Sequence, residues 1–119
     1  FRQLQDFTKT LHDAGIKVAL GTDSGTLNVP MGWGTHHELA LYVEAGLTPM
    51  EAIVAATATG AGRMPPVGEA EFGTLTAGKS ADLIVLNADP LTDIRNTLQI
   101  DRVMVRGEWV DRDGLLAPP

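Results

Sequence analysis

Apolar residues at the start of the chain recur at helical spacing and then form one short run that a single lysine interrupts. A first helix is predicted to end just before Gly15, and three apolar side chains share one of its sides: Leu4, Phe7 and Leu11. The apolar run at residues 16–20 predicts a short strand, followed by a loop at residues 21–25. Glycines and a proline at residues 26–34 predict a second, longer loop.

The pattern Thr-x-x-Glu occurs twice and predicts two further helix starts. Thr35 and Glu38 form the first capping box, and Thr48 and Glu51 form the second, with Pro49 at the first helical position. The earlier of these helices is expected to direct three side chains inward: Leu39, Tyr42 and Val43. The later one has the body AIVAATATGA, which is apolar or small almost all round and so predicts a helix packed on several sides.

The second half of the chain predicts β-structure. Pro65 and Pro66 are expected to end the helical part and act as a hinge, which divides the chain into residues 1–64 and 65–119. Beyond the hinge, the pattern predicts two strands, a hairpin around Arg106-Gly107 and a loose tail, at residues 72–75, 81–86, 102–110 and 111–119.

One acidic residue stands at the end of the predicted first strand. A strand followed by helices favours a parallel α/β unit, and in such units ligands gather where strands end, which is the position of Asp23. From the residues alone three interpretations stay open. Asp23 is a turn residue that binds its own backbone, an aspartic-protease aspartate, or a metal ligand at the end of a barrel strand.

The aspartic-protease alternative rests on the triplet Asp23-Ser24-Gly25, which matches the Asp-Thr/Ser-Gly of that class. Small dimeric members supply one aspartate per chain, and the length would suit them. Those proteins are nearly all β, however, and the predicted helices contradict that architecture. A non-catalytic, β-rich binding or structural module is the remaining alternative.

Three further residues are candidates for contact with a substrate. His36 and His37 are adjacent, so their side chains point about 100° apart on a helix and cannot chelate one metal as an i, i+4 pair can. They either lie at an exposed helix start or line the mouth of a site above Asp23. Trp33 lies in the predicted Gly-rich loop and is either a lid over a substrate or an apolar plug.

Composition narrows the classes of function. The formal charge is −6 with no cluster of Lys and Arg, which argues against a nucleic-acid partner. Cysteine is absent from the 119 residues, so disulfides and thiolate metal sites are excluded and a cytoplasmic location is favoured. The apolar runs are too short to predict a membrane span.

Three motifs occur in combination: Gly-Thr-Asp at residues 21–23, Glu-Ala-Gly-Leu-Thr-Pro-x-Glu-Ala at 44–52, and Gly-x-Leu-x-x-Gly-Lys-x-Ala-Asp-Leu at 73–83. With the segments around them, from about residue 11 to residue 110, they resemble the C-terminal part of the amidohydrolase superfamily. The likeness is to its imidazolonepropionase-like and prolidase-like members. This resemblance covers nearly the whole chain.

The resemblance implies a fold and a role for Asp23. The fold class is α/β: residues 1–64 would be the end of a (β/α)₈ TIM barrel, with its eighth strand and flanking helices, and residues 65–119 would supply the C-terminal strands of a small β-sandwich. Asp23 would ligate a catalytic divalent metal, usually zinc, as one or two ions, and accept a proton from the attacking water. The activity implied is hydrolysis of C–N bonds in small amides, cyclic amides or dipeptide-like substrates.

The family's other metal ligands, a His-x-His motif, a lysine or glutamate and two further histidines, are not found at matching positions. A complete barrel needs about 250 residues. We therefore expect a C-terminal fragment that is inactive alone and that either pairs with the N-terminal remainder of the enzyme or self-associates.

Overall fold

A computed structural model describes residues 1–26, 29–63 and 71–116 of the chain. The first half contains the helices α1 (Arg2–Asp13), α2 (Trp33–Glu44) and α3 (Pro49–Val54), the last of which continues into a π-helical stretch (Ala55–Thr59). The second half contains the strands β1 (Leu83–Leu86), β2 (Ile100–Val105) and β3 (Glu108–Trp109), a 3₁₀ helix (Ile94–Leu98) and a short helix α4 (Arg112–Leu116).

Helix α1 confirms the first predicted helix, but most of its apolar side is not covered. Leu4 is 66% exposed and Phe7 is 60% exposed, and Phe1 at the N-cap is 77% exposed. Gly15 follows the helix with a positive φ of 78°, as expected of a residue just past a helix end. The apolar side of α1 is therefore a surface that the described residues leave open.

Residues 16–20 do not form the predicted strand ladder here, because no strand lies beside this segment among the described residues. A strand exists only as a hydrogen-bonded partner of another strand. Helical residues supply partners instead: the N–H of Leu20 donates to the carbonyl of Ala55 at 3.1 Å. The segment is held from its sides by helices.

One of the two predicted capping boxes forms. At α3, the Oγ1 of Thr48 accepts from the N–H of Glu51 at 3.3 Å, and the Glu51 carboxylate accepts from the N–H of Thr48 at 2.7 Å. That backbone bond, with help from the Thr48 hydroxyl and His12, lowers the pKa of Glu51 to about 2. The box predicted at Thr35 is wrong: α2 begins two residues earlier, at Trp33, so Thr35 lies inside the helix.

The helix predicted over AIVAATATGA is interrupted by the π-helical stretch Ala55–Thr59. Its packing is also less complete than expected. Ala52 and Ala55 are buried, at 0% and 3% exposure, whereas Val54 is 43% exposed.

The β-half forms one antiparallel sheet in the order β1-β2-β3. The predicted hairpin is confirmed, with Arg106 and Gly107 at positive φ of 51° and 84° in its turn. Asp82, just before β1, stabilises the turn by accepting the N–H of Arg106 at 2.7 Å. This backbone bond, together with the Ser80 side chain, lowers the pKa of Asp82.

Two predictions in this half are wrong. Residues 72–75 bend, because Gly73 adopts a positive φ of 90° where the chain passes against Ala61. The tail is not loose throughout, since it forms α4, where Asp111 accepts the N–H of Gly114 at 3.0 Å. The hinge predicted at Pro65-Pro66 lies outside the described residues.

The core joins the two halves. Leu39 of α2, Ala52 of α3 and Ile94 of the 3₁₀ helix form one buried cluster, against which Tyr42 and Val43 are partly buried. The inward face predicted for α2 is thus confirmed. The 3₁₀ helix was not predicted, although Asp93 caps it by accepting the N–H of Arg95 at 2.9 Å.

Candidate functional site

Asp23 lies in an exposed turn at the end of the 16–20 segment. Its φ of 52° is left-handed, a conformation that Asp tolerates better than most side chains. Its carbonyl accepts from the N–H of Thr26 at 3.3 Å and from the Thr26 hydroxyl at 2.9 Å. The carboxylate itself has no hydrogen bond or ion pair with a described residue. The turn therefore uses the backbone of Asp23 and leaves its carboxylate available.

Helix α2 holds the chain just before this turn. Oε1 of Glu38 accepts the N–H of Gly21 at 3.0 Å, and the hydroxyl of Tyr42 donates to the carbonyl of Ala19 at 3.0 Å. Burial, followed by the nearby Glu38 charge, raises the pKa of Tyr42 to about 12, so this hydroxyl remains a donor.

Gly34 brings α2 against the turn itself. A Cβ at this buried position would lie 2.9 Å from Oγ of Ser24 and 2.9 Å from Cγ1 of Val29. Contacts of that length are closer than side chains tolerate, so only glycine permits this approach. Neither Gly34 nor Glu38 was predicted to serve the Asp23 turn. Their spacing of four residues, shared with Tyr42, is the signal available in the sequence.

The two adjacent histidines point to different places. His36 is partly buried, and its Nδ1 lies 3.0 Å from Oγ1 of Thr97, whose own hydroxyl donates to the carbonyl of Ile94 at 2.8 Å. Because that hydroxyl proton is used, Nδ1 of His36 is the donor. Burial lowers the pKa of His36, which fits a neutral ring that links α2 to the 3₁₀ helix.

His37 is exposed and faces the other side of α2. Its ring stacks on Trp33 with centroids 4.5 Å apart and planes 14° from parallel. Both rings line a groove of about 340 Å³ between α1 and α2, which also reaches Gly21 and Thr22. Trp33 is the first residue of α2 and not a loop residue as predicted. The structure thus brings Trp33 and His37 together near the Asp23 turn and places His36 elsewhere.

The described residues contain no group of three or more His, Asp or Glu side chains that could hold a metal. A structural or catalytic zinc needs three or more protein ligands. The accessible Asp23 carboxylate suits one position of such a site, and the other ligands would have to come from beyond these residues. No helix in the described ranges has the length and apolar character needed to cross a membrane.

Comparison with known proteins assigns the family. The profile of the amidohydrolase family matches residues 2–110, and the chain belongs to this family. This assignment, together with the α-helices of the described residues, rules out the aspartic-protease alternative.

Individual relatives agree with the assignment. The chain is 42% identical over 83 residues to ochratoxinase from Aspergillus niger, covering 69% of this chain and 16% of the relative. It is 37% identical over 91 residues to imidazolonepropionase from Deinococcus radiodurans, covering 76% of this chain and 22% of the relative. The fold resembles the crystal structure of a putative prolidase from Bifidobacterium longum, with a TM-score of 0.77, 42% identity, and coverage of 87% and 25%. The chain thus spans about a fifth of the length of its curated relatives.

Proposed function

We propose that the chain is the carboxyl-terminal part of a metal-dependent amidohydrolase that hydrolyses C–N bonds. In this proposal residues 16–20 are the eighth strand of a (β/α)₈ barrel, and residues 65–119 supply half of a small β-sandwich. The family match and the partial coverage of its relatives support the proposal. The observation that carries it is the accessible Asp23 carboxylate at the end of the 16–20 segment.

Asp23 would contribute one ligand to the metal and one base to the reaction. When bound, a divalent metal such as zinc lowers the pKa of water to near 7. The Asp23 carboxylate would help to hold the metal and would accept the proton of the attacking water. The same carboxyl group would then deliver that proton to the departing nitrogen. The substrate is expected to be a small amide, cyclic amide or dipeptide-like molecule, with Trp33 and His37 at the edge of its site.

Substitution of Asp23 in the complete enzyme tests this role. Asp23→Asn should lower kcat/KM by several orders of magnitude, because it removes a metal ligand and the proton acceptor together. Asp6 is also an exposed aspartate, but it lies on α1. Asp6→Asn is therefore the matched control and should have the kcat/KM of the wild type. Activity of Asp23→Asn close to that of the control would overturn the proposal.

The isolated 119-residue chain tests the fragment part of the proposal. We expect no zinc- or manganese-dependent hydrolysis of dipeptides or acyl-amino acids, because Asp23 is the one ligand of the family set that it offers. Turnover by the isolated chain that disappears in Asp23→Asn would contradict this expectation.

We also propose that the chain associates, either with the remainder of its enzyme or with a second copy of itself. The exposed apolar side of α1 supports this, since Phe1, Leu4 and Phe7 together form an apolar surface. So does the 16–20 segment, because the described residues supply no strand to pair with its backbone, and helical residues bond only part of it.

A further inference from the structure

Three residues in a row along α2 contact the segment that leads to Asp23 and the turn that contains it. Gly34, Glu38 and Tyr42 are spaced by four, so they lie on one face of the helix, one above the other. Tyr42 contacts the carbonyl of Ala19 and Glu38 contacts the N–H of Gly21. Gly34 lies against the turn that contains Asp23. We name these three residues the α2 ridge.

The rise per residue of α2 and of the 16–20 segment explains why the contacts between them repeat. Four residues of an α-helix advance about 6 Å. Two residues of an extended chain advance about 6.6 Å. The step from Tyr42 to Glu38 therefore matches the step from Ala19 to Gly21, with the two chains running in opposite directions.

The hydrogen bond made by Leu20 points away from α2. The N–H of Leu20 donates to Ala55 of the π-helical stretch, whereas Ala19 and Gly21 face α2. This alternation is the period-two pattern of an extended chain. The segment is consequently held on both edges, and a slip by one residue would break all three bonds.

We infer that the α2 ridge sets the position and aim of the Asp23 carboxylate, and that Glu38 is its central positioning residue. The inference rests on the proposed role of Asp23 as a metal ligand. Glu38 holds the backbone two residues before Asp23, and Gly34 lets the turn lie directly on the helix. The Asp23 side chain has no described partner of its own, so the backbone around it decides where it points.

The ridge makes different demands on its members. Glu38 acts as a hydrogen-bond acceptor, which an amide oxygen can replace, so Glu38→Gln should preserve its function and Glu38→Ala should not. Glu44 is a matched control, because it lies on the same helix, is exposed, and its carboxylate pairs only with Arg95 among the described residues, at 3.8 Å.

The experiment measures zinc affinity in the complete enzyme by competition with a chelator, at matched folded fraction. Glu38→Ala is expected to weaken zinc binding by about 10- to 100-fold, the usual effect of removing a group that orients a metal ligand. Glu38→Gln and Glu44→Ala are expected to bind zinc as wild type does. Should Glu38→Ala fail to fold, Tyr42→Phe removes the neighbouring bond and is expected to weaken zinc binding as well.

Two results would overturn the inference. Unchanged zinc affinity in Glu38→Ala, or in Tyr42→Phe if that variant is used, would mean that the ridge serves folding alone. Equal losses in Glu38→Gln and Glu38→Ala would mean that acceptance from Gly21 is not what matters. Asp23→Asn separates this inference from the proposed function: unchanged zinc affinity there removes the metal-ligand role itself. A loss in Asp23→Asn without a loss in Glu38→Ala removes the ridge inference alone.

Discussion

Replacement of Gly34 by alanine places a methyl group where α2 meets the Asp23 turn. The added Cβ would lie 2.9 Å from both Ser24 Oγ and Val29 Cγ1, and 3.6 Å from the Cβ of Thr22. Val29 is branched and stiff. Ser24 is engaged with the Thr22 hydroxyl at 2.6 Å. Neither neighbour moves freely, so the turn itself is expected to shift away from the helix.

Two effects of known size compete in Gly34→Ala. Overpacking of this kind costs about 1–3 kcal/mol. Alanine in a helix is more favourable than glycine by at most about 1 kcal/mol. Gly60 provides the matched control, because it is also helical and its added Cβ would meet only the carbonyl oxygen of Ala55 at an ordinary 3.7 Å. Gly60→Ala should therefore gain stability without overlap, and the difference between the variants should be about 1–3 kcal/mol.

Urea unfolding of both variants and the wild type, at one chain concentration, measures this difference. We expect Gly34→Ala to unfold at the lowest urea concentration and Gly60→Ala at the highest. A Gly34→Ala variant at least as stable as Gly60→Ala would refute the close approach of α2 and the turn.

The remaining predictions concern the link between the halves and association. Thr97→Val should destabilise the protein by about 1–3 kcal/mol, because it leaves the N–H of His36 and the carbonyl of Ile94 unpaired. Thr97→Ser keeps the hydroxyl and should retain most of the stability. Equal unfolding midpoints for the two variants would contradict the link between α2 and the 3₁₀ helix. Since burial lowers the pKa of His36, the unfolded state binds more protons than the folded state just below pH 6.5, so stability should fall as the pH drops below that value. His36→Gln should reduce this dependence of stability on pH more than His37→Gln does. Equal slopes of stability against pH for the two variants would contradict the role of His36. Light scattering across a dilution series should show an associated chain, and a compact, cooperatively melting monomer of 12.6 kDa would contradict the proposed association.

Local interactions were predictable from the sequence. The box between Thr48 and Glu51 joins residues three apart, and the turn at Arg106-Gly107 is decided by its own backbone conformations. The predicted position of Asp23 just after residues 16–20 depended on the apolar residues of that segment. None of these features requires knowledge of distant parts of the chain.

Features that depend on distant partners were not predictable in the same way. Glu38 has the spacing of a capping residue, but Gly21, 17 residues earlier in the chain, donates to it instead. Residues 16–20 have the composition of a strand, yet a ladder needs a neighbour that the described chain does not provide. The sequence does not distinguish His36 from His37, whereas the helix turns one toward Thr97 and the other toward Trp33.

The π-helical stretch Ala55–Thr59 changes the direction in which the side chains after it point around the helix axis. Each residue of an α-helix turns the chain by about 100°, and a π-helical segment closes its hydrogen bonds one residue further along the chain than the regular helix does. Ala61, just beyond the stretch, lies against Gly73, where a Cβ would approach it to 2.5 Å. Deleting one residue from the stretch would rotate Ala61 away from Gly73 while shortening the helix by only about 1.5 Å. The stretch thus aligns the helical half with the segment that leads into the sheet. Its number of residues matters more for the rotation of Ala61 about the helix axis than for the length of the helix.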